Sequence, residues 1–453
     1  RSIWVTGVQT CALPIYMFQA SLRADESENF APDYRRGYFP AFSAGWVISN
    51  ENFMDGIRGT VDYLKIKGSW GQLGSDAINA RFLYLSRYST VANNYAFGGT
   101  TLPGLNPTAS NPTVTWETST KTDIGLEAGF KNGLITVELD YYSELRKDIL
   151  AVRSSQIPST YGGPLPAENV GEVENKGIEL TISHRKRLNK DLTYVVSANM
   201  TYARNKIIAA PQGSNVPEAF SVLGRSIGSY YGYKAIGIIK DEATLNAYNK
   251  TTAFPISLGD IMYEDVDGDG IINNADRQWL STGAIPEMVY GISGGINYKG
   301  FELNFLFQGA TNVNQQLTNN AGFAFFNGGR VTEEWLDRWT PDNPNAKYPR
   351  LSTNATATTN NYQIPSGPAY GVGANSFWIE DASYLRLKNL ELAYTFKPSF
   401  ISRIGASSLR VYATGQNLVT WTKLHNVDPE NTNGSGWYYP VQAVFNFGLN
   451  IQF

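Results

Sequence analysis

Hydrophobic residues recur at every second position in stretch after stretch of this chain, a period that belongs to β-strands with two unlike faces. In the last stretch Val441, Ala443, Phe445, Phe447, Leu449, Ile451 and Phe453 share one face. Gln442, Asn446, Gly448, Asn450 and Gln452 share the other, with Val444 the exception. The same alternation returns at 124–130, 135–141, 192–202 and 301–307. Near Asn389 its phase shifts, from Leu385 and Leu387 to Leu390, Leu392 and Tyr394, as a β-bulge would require. About a dozen strands of roughly 9–16 residues are expected, long enough to cross a bilayer at a tilt. They begin near Tyr16, Phe42, Val61, Glu117, Leu134, Val170, Leu192, Glu287, Phe301, Ala382, Leu409 and Val441.

The connections point the same way. Short ones at 50–59, 131–133, 187–191, 299–300 and 397–407 alternate with long ones at 26–40, 73–116, 150–169, 206–285, 313–380 and 422–440. Lys131-Asn132-Gly133 reads as a type I′ hairpin. A transmembrane antiparallel β-barrel has this parity, short turns on its periplasmic side and long loops outside, whereas a soluble sandwich has no reason to keep it. The long loops read as solvated linkage rich in Asn, Thr, Gly, Ser and Pro, as at 354–361, with one short helix expected at 332–339 before Pro341.

Composition removes the competing classes. No run approaches 18 consecutive apolar residues, so helical membrane spans are excluded, and a mean hydropathy of −0.27 suits strands that alternate. A net charge of −3 with no basic stripe gives no reason to expect nucleic acid as a partner. The one cysteine, Cys11, lies in residues 1–15 (RSIWVTGVQTCALPI), which lack the layout of a signal peptide and look like sequencing-adaptor read-through. The protein proper is expected from Tyr16 to Phe453, starting inside a strand as a truncated gene would, and without a defined role for residues 1–15.

The sharpest local motif is acidic. In 265–276 oxygen ligands fall at loop positions 1, 3, 5, 9 and 12 (Asp265, Asp267, Asp269, Asn273, Asp276), with Gly270 at position 6, and Ile271 would add its backbone carbonyl. This is the spacing of a calcium-binding loop of EF-hand type, with aspartate in place of the usual final glutamate. The alternative is a solvated turn held by Asx hydrogen bonds. In either case the expected role is structural.

Catalytic arrangements are poor. His184 and His425 fall on different elements, and no phosphate-cradling loop is present. The string Gly291-Ile292-Ser293-Gly294-Gly295 matches a nucleophile elbow, but it lies within an expected strand with no helix after it. Glu138 and Asp140 could imitate glycosidase carboxylates, yet on one strand they suit a polar lumen better. No enzyme is expected.

Several short patterns, in a shared order, resemble the SusC/RagA-type TonB-dependent transporters. They are Arg23-Ala24-Asp25, Tyr38-Phe39-Pro40, Gly45-Trp46, Leu64 through Gly71, Trp116-Glu117-Thr118 and Asn175 through Glu179. The acidic loop, Ala382 through Asn389, Gln416-Asn417-Leu418, Asp428-Pro429-Glu430 and a terminal Phe453 follow. The resemblance implies an outer-membrane barrel of about 22 strands, of which about half would be here, without plug, TonB-contacting segment or first strands. It implies import of a bulky nutrient such as an oligosaccharide or peptide, powered through TonB, with a SusD-like surface lipoprotein as lid. The outer face would meet outer-membrane lipid, and Phe453 resembles the signal read by the barrel-assembly machinery. A calcium-stabilised surface adhesin without transport and a barrel-embedded hydrolase are the alternatives.

Overall fold

The computed structural model describes residues 4–10, 15–77, 81–153, 156–161, 163, 165–213, 216–252, 256–351, 374–397 and 405–453. Cys11 and the 354–361 stretch lie outside the described residues. The chain divides into two units, Arg1–Lys186 with Ser197–Arg225, and Arg187–Val196 with Ser226–Phe453.

In the first unit β1 (Trp4–Thr10), β2 (Tyr16–Glu26), β3 (Arg36–Val47), β4 (Val61–Ser75), β5 (Glu117–Phe130), β6 (Ile135–Val152) and β7 (Ala167–Arg187) pair in chain order, each antiparallel to the last. β8 (Leu192–Ala209) stands next to β7 in the sheet. In the second unit β9 (Met288–Tyr298), β10 (Phe301–Thr311), β11 (Tyr384–Thr395), β12 (Ser408–Thr422) and β13 (Val444–Gln452) form the same up-and-down meander. Every expected strand is present. The bulge falls at Lys388, where the ladder skips from Leu387 to Asn389 on both sides of β11.

Because directly paired residues share a face, register turns each alternation into a surface. Ile66, Leu126, Leu139 and Leu180 are successive partners across β4–β7, and one step along run Lys65, Glu127, Glu138 and Thr181. One side of the sheet is therefore apolar and the other polar. The apolar side is left open, with Phe301 62% and Phe447 82% exposed. So much uncovered apolar surface is sustained only against another apolar phase. Among the described residues no helix is long and apolar enough to cross a membrane.

Several expectations need correction. Residues 1–15 were expected to stay out of the sheet, but Trp4–Thr10 pairs with β2 from Trp4↔Ala24 to Thr10↔Phe18. An unpaired strand edge presents a row of free N–H and C=O groups that any extended segment without proline can satisfy. β3 starts at Arg36, earlier than Phe42, because Tyr38 and Arg36 continue the ladder to Ala24 and Glu26 and the Arg36 guanidinium bonds the Glu26 carboxylate. The 27–35 connection is consequently shorter than 48–60, so the length contrast fails at that pair of loops although the up-and-down order holds. The 131–133 turn is not a two-residue type I′ hairpin. Lys131, Asn132 and Gly133 all have positive φ (52°, 58° and 73°), and the Asp62 carboxylate accepts the N–H groups of Asn132 and Gly133. Lys299-Gly300 is the compact two-residue turn, with φ of 51° and 92°.

Among the described residues, parts of the long connections are packed and not merely solvated linkage. In the first unit 76–116 carries a hairpin of Tyr88–Phe97 and Thr100–Pro107, and Val114 and Trp116 pack with Phe30 and Phe39. In the second unit the loops share three buried clusters: Phe323, Ala324, Trp335 and Trp378; Tyr233, Ile261, Tyr263 and Ile272; and Val313, Ala321, Ala382, Leu424 and Val427. The helix expected at 332–339 is a 3-10 turn, Glu333–Asp337, that seats Trp335 in the first of these. It stops there because Arg338 already bridges to Tyr348 in extended conformation.

Candidate functional site

The acidic loop is built upward from the second buried cluster. Ile272 is buried against Tyr233, Ile261 and Tyr263, which fixes the loop's far end, and the N–H of Ile272 donates to the Thr251 carbonyl. A short helix, Glu242–Tyr248, precedes it, capped by Asp241 accepting the N–H of Thr244 and ended by Asn249 at φ 37°. That end delivers Lys250 to the loop, where its Nζ stands 2.6 Å from Asp265 Oδ2.

Of the six residues that the spacing singled out, the structure brings three together. Asp265, Asp267 and Asp269 each present a carboxylate oxygen within 4.8 Å of the others. Asp265 accepts N–H groups from Gly268 and Gly270, Asp267 accepts from Asp269, and Asp269 accepts from Ile271. The rest close the loop from within. Asp276 is fully buried and accepts the N–H groups of Val266 and Asn273, while Asn273 caps the following 3-10 turn. The Ile271 carbonyl accepts from the Asn273 amide. The leading half of the loop therefore has the donor set a hard cation takes, and the trailing half is already engaged with backbone. The Lys250 ammonium, together with the Gly270 and Gly268 N–H groups, holds the Asp265 carboxyl below the usual carboxylate range. Lys250 was not among the residues picked from sequence, since only a helix that turns the chain back brings it to Asp265.

The polar side of the first unit is a compensated charge network. Lys67 on β4 reaches across β5 to Asp140 (2.8 Å) and Glu138 (3.1 Å) on β6, and Lys65 meets Glu127 at 3.2 Å. The crossing exists because Gly125 lies beneath it: a Cβ there would sit 2.1 Å from Asp140 Oδ1 and 2.3 Å from Lys67 Cε. In the second unit Arg410 on β12 spans Glu302 and Glu391, at 2.8 Å each. Glu138 and Asp140 thus both engage the Lys67 ammonium.

A third cluster ties a loop to the wall. Arg386, 2% exposed on β11, meets Asp428 at 2.7 Å and Glu430 at 3.2 Å and donates from Nε to Thr420. Lys388, the bulged residue, reaches Glu430 at 2.8 Å. The same 423–443 loop is held by Gln315 donating to the Asn431 carbonyl and by Thr318 N–H donating to that of Gly434. Ser293 lies mid-ladder opposite Leu306, without the strand-to-helix turn an elbow needs. His184 pairs with Ile135 on the apolar side of β7, and His425 is exposed in the 423–443 loop.

Comparison with known proteins adds a family. Residues 13–237 match the family described as TonB dependent receptor-like, beta-barrel. Over 97% of its length the chain is 29% identical to TonB-dependent receptor P3 of Formosa agariphila, covering 44% of that protein. It is 28% identical to TonB-dependent receptor SusC of Bacteroides thetaiotaomicron, again over 97% of this chain and 42% of the relative. The chain thus spans less than half the length of these curated relatives. Among solved structures, the RagAB peptide transporter superposes with a TM-score of 0.74 at 24% identity, over 97% of this chain and 46% of that one. That likeness concerns the fold.

Proposed function

We propose that this chain, which matches the β-barrel family of TonB-dependent receptors over residues 13–237, forms wall strands of an outer-membrane transporter importing a bulky nutrient. The cargo is an oligosaccharide or a peptide, energy arrives through TonB, and a SusD-like surface lipoprotein closes over the loops. The observation that carries this reading is the two-sided wall. Its apolar side suits lipid, and its polar side balances its own charges through Lys67, Lys65 and Arg410. A wall compensated in this way offers hydrogen-bonding groups more than a net field, which suits a large polar solute. The packed loop body of the second unit supports a lid, because a partner docks at lower entropic cost on an ordered surface.

The test is uptake in the producing bacterium. Labelled oligosaccharide and peptide mixtures are followed into cells with the uninterrupted gene present, deleted, or present without TonB. Loss of uptake in both altered strains is expected. Uptake indifferent to the gene, or surface binding with no entry that ignores TonB, overturns transport.

Three narrower proposals go with it. Asp265, Asp267 and Asp269 would hold a calcium ion with Ile271, Asn273 and Asp276 completing the loop, and the ion would supply charge compensation alone. Phe453, 87% exposed at the end of the last alternation, would be read by the assembly machinery. Residues 1–15 would be foreign to the gene, and resequencing the source DNA should replace them. Recovery of the same residues from independent clones would refute that.

A further inference from the structure

On the apolar side of the second unit, β9 to β13 enclose a groove of about 840 Å³. A barrel exterior needs only to be apolar, and a recess this large calls for an occupant. It arises where a small residue interrupts a row of large ones. Ala413 is paired with Leu392 on one side and Phe447 on the other, so a single methyl forms the floor between two bulky side chains. One wall is aromatic, with Phe301 and Tyr394 ring centroids 4.5 Å apart at a tilt and Tyr394 and Phe396 4.9 Å apart edge-on. Leu449, 62% exposed, stands with Phe447 on the other.

One end of the groove is cationic. Tyr298 lines it and continues into the Lys299-Gly300 turn, where the Lys299 ammonium lies 5.3 Å from the Tyr298 ring centroid. The Gly300 carbonyl accepts the Thr395 N–H at 2.8 Å, which sets that turn beside Phe396 and the exposed Lys397. Short turns of an outer-membrane barrel face the periplasm, so both ammonium groups stand at the depth of the inner leaflet's headgroups. Tyrosine and lysine at that depth are anchoring residues for an apolar–polar boundary.

We propose that this groove is a binding site for one phospholipid of the periplasmic leaflet, an acyl chain lying over Ala413 and the phosphate held by Lys299 and Lys397. An acyl chain is the occupant because the recess opens toward hydrocarbon and its walls are apolar. A phosphate is the headgroup because only an anion answers the two lysines at its end. The inference rests on the outer-membrane setting and is independent of the nutrient carried.

Native mass spectrometry of the full-length transporter, purified in a neutral detergent and incubated with phosphatidylglycerol or with dioleoylglycerol, tests it. The parent should retain one phosphatidylglycerol and little dioleoylglycerol. Ala413→Leu, which fills the floor, should cut retention roughly tenfold. Lys299→Gln should cut phosphatidylglycerol retention about fivefold without changing that of dioleoylglycerol. Leu139→Ala, apolar and outside the groove, should retain lipid like the parent. Heat-modifiable migration on a gel reports folding, and if Ala413→Leu does not fold, the Lys299→Gln and Lys397→Gln pair carries the test. Equal retention of both lipids by the parent, parent-like retention in the folded variants, or a protein found on the groove in place of lipid overturns the proposal.

Discussion

Arg386 and Asp428 lie 42 positions apart in sequence and meet at 2.7 Å, with the guanidinium 2% exposed. Each belongs to a short sequence pattern, and the contact joins the two: one is wall, the other is the loop strapped to it. Arg386 also bonds Glu430 and Thr420, so a buried charge is compensated on several sides.

Removing one partner of such a pair leaves a buried charge exposed to its own desolvation cost. Asp428→Ala should therefore destabilise the loop attachment by about 3 kcal/mol. Limited proteolysis within 423–443 should accelerate while β11 and β12 stay protected. Unchanged cleavage would mean that the strap is held by the Val313–Leu424–Val427 packing alone.

The two faces should differ in tolerance. Arginine in place of Val196, on the apolar side, should cost roughly 2–4 kcal/mol near mid-bilayer, and arginine in place of Ser197 on the other side much less. Reversible denaturation of the full-length protein in vesicles, followed by tryptophan fluorescence, compares them. Equal losses would count against a membrane barrel.

At Gly125 any side chain collides with the Lys67 bridge. Gly125→Ala should displace the Lys67 ammonium from Asp140 and cost roughly 1–3 kcal/mol by overpacking. Asp140→Ala in the same background should restore part of the loss, since the closest clash, at 2.1 Å, is with the Asp140 carboxylate. No recovery in the double variant would place the strain at the lysine stem.

Calcium should protect the 265–276 loop from proteolysis in the full-length protein, with magnesium a poor substitute because it keeps its waters. A chelator should loosen the loop around Gly268 and Gly270, and Asp267→Ala should abolish the calcium effect. Cleavage that ignores calcium in the parent supports instead the Asx turns and the Lys250 ion pair as the whole of the organisation.

Acid should release a second loop anchor. Asp381 is pushed down to about 2 by the hydroxyl and N–H of Ser383 and by Lys423, whose Nζ is 2.9 Å away. A carboxyl depressed in the folded state stabilises fully above its unfolded value, near 3.9, and its contribution disappears as the pH falls through the folded value. Loop protection should thus decline between about pH 4 and pH 2 and do so less in Asp381→Asn. An identical acid profile for both would assign the decline to other carboxylates.

Alternation by itself determined the wall. Each of Leu126, Leu139 and Phe305 was assignable to the apolar side, and Glu127, Glu138 and Asn304 to the other, because a strand reverses its side chains at every residue and no distant contact alters that. The bulge at Lys388 was legible for the same reason, as a slip in phase. The acidic loop was legible as ligand spacing, since Asp265, Asp267 and Asp269 lie within five positions and local geometry sets their approach. Tertiary structure decided everything that depends on pairing across a gap. Lys250 at Asp265, Lys67 passing over Gly125, Asp428 on Arg386 and the packing of Trp335 with Trp378 each join residues whose neighbourhood is set by sheet register or by loop folding. A periodic pattern records which side a residue faces, but register and loop closure decide which residues face one another, and these are collective properties of the paired chain.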